Sequence, residues 1–221
     1  MPRCRATSAP RGIVTWGLLL AAIALPTGAV AQIAPDTPRL ISPHLTAGLG
    51  VHWLQAGTLP GDGDGVLVTW SMPGLPDGLR LRGGAGTGAG GTTAGFGGVD
   101  VQSALLRGDG DAAFDLDWQG GFGVSVGEYA LVTLPVGISG GIAWASGSVW
   151  LAPYVTAGLA ADLRLGDEAP DEEFEVYPSL DLGMDVALDA SRRVVLRAAA
   201  SLGDRQALSL GLTFGAGRPR G

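Results

Sequence analysis

The sequence predicts an all-β protein: a closed antiparallel transmembrane β-barrel. Three observations predict it. From His44 to Phe214, apolar residues alternate with small or polar ones, which is the two-residue period of a strand. The alternating runs outlast the ~5–6 residues usual for strands of soluble domains and reach the ~9–11 needed to cross hydrocarbon at a tilt. Within the clearest runs every charge falls on the non-apolar face, as a barrel with lipid outside requires. The expected count is ten strands, with eight as the alternative.

The chain opens, at residues 1–31, with the three parts of a secretory signal. Arg3, Arg5 and Arg11 give a basic start, Ile13–Leu25 an apolar run, and Ala29-Val30-Ala31 a small-residue site with cleavage before Gln32. The apolar run is shorter than the ~20 residues a spanning helix needs. Residues 32–43 are expected to form a periplasmic N-terminal segment, 44–214 the barrel and 215–221 a C-terminal tail. The single cysteine, Cys4, belongs to the leader. The mature chain therefore offers no disulfide, thiolate metal site or cysteine nucleophile.

Strands are expected at 44–54, 65–72, 78–85, 94–106, 112–126, 129–144, 148–165, 173–188, 192–202 and 205–214. The cleanest is 112–126, where Phe114, Leu116, Trp118, Phe122, Val124 and Val126 share one face and Asp115, Asp117, Gln119 and Ser125 the other. Leu151–Leu165 and Val176–Leu188 alternate in the same way. Short connections (73–77, 107–111, 145–147, 189–191) are expected on the periplasmic side. Longer ones rich in Gly and acids (55–64, 86–93, 166–172) are expected outside. Pro135 lacks the N–H a ladder needs, so a bulge or strand end is expected there. Trp53, Trp70, Tyr129, Trp144, Trp150, Tyr154 and Phe214 lie near strand ends and are expected to form the aromatic girdles of an outer-membrane barrel.

The alternation aims Arg80, Arg82, Asp100, Asp115, Asp117, Asp162, Arg164, Asp181, Asp185, Arg193 and Arg197 inward. Both signs occur at similar depth. Because burying unpaired charge is costly, a network of paired charges filling a narrow lumen is favoured over a charged channel lining. All 14 basic residues are Arg; three belong to the leader, leaving 11 against 21 acidic residues, a net charge of −10. That sign excludes non-specific nucleic-acid binding.

No catalytic residue and no metal site is expected. The two histidines, His44 and His52, fall on the first strand, and no serine sits in a Gly-x-Ser-x-Gly elbow. The acidic clusters Asp62-Gly-Asp64, Asp109-Gly-Asp111 and 167–173 lack the ligand pattern calcium needs and read as solvated turns. The Gly86–Gly98 stretch lacks the strand–helix context of a dinucleotide loop.

Leu134-Pro-Val-Gly137, Pro153-Tyr-Val-Thr-Ala-Gly-Leu159, Leu182-Gly-Met-Asp-Val186 and Leu208-Ser-Leu-Gly-Leu-Thr-Phe214 resemble the small outer-membrane barrel families of the OmpA, OmpX and OmpW type. The resemblance spans roughly 44–214 and implies architecture rather than activity. Family barrels typically end on an aromatic residue recognised during assembly, whereas here Gly215–Gly221 follow Phe214.

The expectation is a non-enzymatic, cofactor-free barrel of the Gram-negative outer membrane with an envelope-structural or surface-interaction role. Its expected partners are outer-membrane lipid and, during biogenesis, the barrel-assembly machinery and periplasmic chaperones, the barrel itself being a monomer. Three rivals are a narrow, porin-like pore for small polar solutes, a barrel enzyme acting on lipid or peptide with His52 as its base, and a secreted soluble sandwich.

Overall fold

The computed structural model describes residues 38–44, 47–56, 63–71, 78–87, 93–109, 114–127, 129–166, 169, 173–189, 191–203 and 205–215. The expected leader, the tail beyond Gly215, the centre of the Gly86–Gly98 stretch and most of the acidic clusters lie outside the described residues.

The strands are β1 (Gly48–Ala56), β2 (Gly63–Ser71), β3 (Arg80–Thr87), β4 (Thr93–Leu106), β5 (Phe114–Val126), β6 (Ala130–Ile142), β7 (Trp144–Ser146), β8 (Val149–Leu165), β9 (Phe174–Ala187), β10 (Val194–Leu202) and β11 (Ala207–Gly215). Neighbours in sequence pair antiparallel, except that β6 passes over β7 to pair with β8, and β1 pairs with β11. Ten strands thus close into a barrel. The short β7 pairs with β8 and stands outside the ring.

Three local differences from the sequence reading have physical causes. The first strand starts at Gly48, because His44 leaves the wall. The expected strand 129–144 divides into β6 and the short β7, which turns back at Gly147, φ 61°, to pair with the start of β8. Pro135 neither ends β6 nor bulges it. It still faces Ala160 of β8, while the β5–β6 ladder skips between Gly120↔Val136 and Gly123↔Thr133 with its register unchanged. The missing N–H costs pairing on one side without costing alignment. The bulge lies instead on β4, between Ala104 and Leu106. Nor do the two barrel ends separate into short and long connections, since 72–79 matches 166–173 in length.

The outer face is predominantly apolar. Val68, Val51, Leu212, Leu196, Val186 and Leu151 are successive register partners across β2, β1, β11, β10, β9 and β8. On the opposite wall Leu134, Val136 and Leu159 point outward with about half their surface exposed (53%, 55% and 50%). Among described strand residues the only outward charge is Asp64, the second residue of β2, at the rim. No helix among the described residues is long and apolar enough to cross a membrane.

Residues 38–43 belong to the stretch 32–43 expected outside the barrel, and His44 to the expected first strand. The structure threads Pro38–His44 into the lumen instead. Arg39, Leu40, Ile41 and Ser42 are all buried, surrounded by inward-facing side chains of the wall.

Candidate functional site: the occupied lumen

Strand parity turns ten of the eleven expected lumen charges inward and buries them. These are Arg80, Arg82, Asp100, Asp115, Asp117, Asp162, Arg164, Asp181, Asp185 and Arg197. Arg193 is the exception. It sits just before β10 and is exposed, because the β9–β10 turn has no strand parity to aim it. Sequence reasoning missed two buried arginines: Arg39, whose segment offers no alternation to read, and Arg205, which opens the expected strand 205–214 and shares the inward parity of Ala207, Ser209 and Thr213. With them, six buried arginines face six buried aspartates among the described residues.

The pairing follows the ladder. Arg80 and Asp100 are register partners across β3–β4, and Arg80 donates from Nε (3.2 Å) and NH2 (2.8 Å) to Asp100 Oδ2. Arg82 faces Gly98, where a Cβ would lie 2.9 Å from its Nε, and reaches Asp100 Oδ1 at 3.3 Å. Arg197 and Asp185 are register partners across β9–β10, bonded at 2.9 and 3.2 Å. Thr133 donates to Asp162 at 2.7 Å, and Arg205 pairs with the other oxygen of that carboxylate. Ser201 donates to Asp181. Near one mouth Arg164 binds Glu175 (2.6 Å) and Tyr177, with Arg205 over the Tyr177 ring at 4.4 Å. Such pairs add little net stability over apolar packing, but removing one partner is costly.

The N-terminal segment is held by dedicated groups. Arg39 donates to two wall carbonyls, Val136 O and Leu159 O, each at 2.9 Å. Its guanidinium lies over the register pair Gly137↔Gly158, where a Cβ would come within 2.9 and 2.6 Å of NH1. Three successive carbonyls of the segment then accept from the wall: Leu40 from Arg80, Ile41 from Ser139 (3.0 Å), Ser42 from Gln102 (3.0 Å). Thr156 backs Ser139 at 3.0 Å. The Leu40 side chain enters an apolar cluster with Leu54, Leu67, Ala94, Phe96, Ala199 and Ala207. An apolar pocket inside a charged lumen was not anticipated.

His44 lies toward the other mouth. Its Nδ1 lies 3.3 Å from Asp115 Oδ2, and its ring meets Trp150 edge-on at 6.3 Å, with Arg192 over Trp150 at 4.4 Å. Burial pushes the His44 imidazole below its ordinary value, against the pull of Asp115. Arg107 binds Asp117, which raises its already high value. His52, the candidate base, is fully buried; Thr69 Oγ1 lies 3.4 Å from its Nε2, and its Nδ1 has no hydrogen-bond partner among the described residues. The Asp–His contact falls on His44 instead.

The expected girdle divides. Trp53, Trp70 and Phe214 point outward, and Trp144 is half-buried on β7. Tyr129, Trp150 and Tyr154 turn inward and are buried. Tyr154 fits there because a Cβ at Gly183 would strike its ring and one at Gly141 would come within 3.0 Å of its Cβ. The missed signal was parity, since Trp150 and Tyr154 share a face with Thr156 and Asp162. Among the described residues no three His, Cys, Asp or Glu side chains converge as metal ligands.

No family model matches the chain, and no curated protein is significantly similar to it.

Proposed function

We propose that this chain is an exported, non-enzymatic β-barrel of a Gram-negative outer membrane, with a lumen closed to solutes and an envelope-structural or surface-interaction role. The observation that carries this reading is the division of chemistry across the wall. Soluble monomers rarely expose contiguous apolar patches beyond a few hundred Å², yet apolar register partners here run outward across strand after strand. Lipid is the solvent in which that surface is favourable and in which closure, leaving no sheet edge, is required. The signal-like residues 1–31 support export. Balanced ion pairs and the inserted segment support a closed lumen. In this reading the barrel is a monomer that meets lipid directly and the assembly machinery during biogenesis.

Fractionation of the producing cell, combined with heat-modifiability on a gel, tests the reading. The expected result is an outer-membrane protein whose unheated form migrates faster than its heated form. A mature chain that stays in solution without detergent contradicts it. The charged lining favours one rival, a narrow pore for small polar solutes. Planar-bilayer recordings separate the two, since a closed lumen predicts no conductance steps.

A further inference from the structure

We propose that the lumen is a peptide-binding site, selective for an arginine followed by an aliphatic residue, which the chain fills with its own Pro38–His44 segment. The inference rests on the barrel and its interior, and not on where the barrel resides.

Simple space-filling does not account for the contacts. A filler needs volume, whereas this segment meets a recognition element at each residue from Arg39 to Ser42. The Arg39 guanidinium receives two carbonyls, Val136 O and Leu159 O, over a wall left bare by Gly137 and Gly158. A side chain at either glycine would take the place of that cation. Leu40 is received by the one buried apolar cluster that lines this part of the lumen, built from five strands: β1, β2, β4, β10 and β11. The three carbonyls of residues 40–42 are each met by a different wall donor, Arg80, Ser139 and Gln102. A guanidinium fork, an aliphatic pocket and a row of donors to main chain together specify a peptide of stated chemistry.

The ligand is also suited to being bound. Prolines at 38 and 43 restrict the backbone on both sides of the recognised residues, so less freedom is lost on docking. The segment adds no strand to the sheet. Its main-chain bonds are local, Leu40 N to Pro38 O and Ile41 N to Arg39 O, and its remaining ties run through side chains. It is therefore attached to the barrel as a ligand is, through a site, and a second peptide of the same chemistry satisfies the same groups.

The test uses the full chain carrying Arg39→Ala and Leu40→Ala, refolded into detergent micelles with synthetic peptides. A peptide of sequence 36–46 is expected to raise, saturably, the temperature at which the barrel loses its fast-migrating form. The same peptide with alanine in place of its arginine is expected to act at concentrations at least about tenfold higher, given the worth of hydrogen bonds to a charged group. Equal action of the two peptides, or none by either, overturns the proposal. Should the double variant not fold, a second measurement decides. Leu40→Cys is paired in turn with Leu54→Cys, Leu67→Cys and Ala207→Cys in an otherwise native chain whose only cysteine is Cys4. An intramolecular disulfide in at least one pair is expected under oxidant, and its absence in all three overturns the docked segment. A chain that crosslinks but stays soluble without detergent would leave this site standing while defeating the membrane reading.

Discussion

The outer and inner faces of the barrel are made by the same strands, one residue out of step, yet they obey different rules. Outside, Val51, Leu196 and Leu212 need only be apolar; their neighbours are equally generic, and any of them could exchange with a similar side chain. Inside, Arg80 depends on Asp100 across the ladder and on the carbonyl of Leu40, and Tyr154 depends on the absence of a side chain at Gly183. The outer face is specified by a solvent, the inner face by particular partners. That difference sets which substitutions should hurt and how much.

The largest effect is expected inside. Asp100→Asn leaves Arg80 and Arg82 buried without their shared carboxylate, and should cost about 3–5 kcal/mol of unfolding free energy. Urea unfolding in detergent measures it. A loss below about 1 kcal/mol would show that water reaches the pair and screens it. Outside, Val136→Arg should cost about 2–4 kcal/mol in a bilayer, because Val136 lies midway along β6. In a water-soluble protein the same change on so exposed a side chain would be nearly neutral. Val136→Leu should stay within about 0.5 kcal/mol in either solvent, since one apolar side chain replaces another.

A smaller, pH-dependent effect is expected at the mouth. The docked His44 is half-buried beside Asp115, with Arg107 and Asp185 also acting on it, and its net shift is downward. The folded form therefore binds a proton less readily than the unfolded chain. The stability His44 contributes is full above its ordinary value of about 6.5 and declines as pH falls below that value. Urea unfolding in detergent at about pH 7.5 and about pH 5 should show a smaller loss of stability on acidification in His44→Gln than in the native chain.

What the sequence made legible follows the same division. Strand positions, the closed all-β fold and the inward aim of Asp115, Asp117, Asp162, Asp181 and Asp185 all follow from a period of two, because lipid-like and lumen-like faces alternate without exception over long runs. Tyr129, Trp150 and Tyr154 lie near strand ends, as girdle residues do, but parity turns them inward, and the glycine that admits Tyr154 lies on another strand. Pro38–His44 was illegible for a deeper reason. Seven residues bounded by prolines and a histidine carry no periodicity, and their place is set by groups on β3, β4, β6 and β8 that meet only when the barrel closes.

The most direct test of the division is tryptophan quenching by lipids brominated along the acyl chain. Two single-tryptophan chains suffice, one keeping Trp118, which is outward and 43% exposed, and one keeping Trp150, which is inward and 3% exposed. In vesicles, strong quenching of Trp118 with little quenching of Trp150 is the predicted result. Equal quenching of the two, or none of Trp118, would contradict an apolar wall facing lipid around a sealed, charged interior.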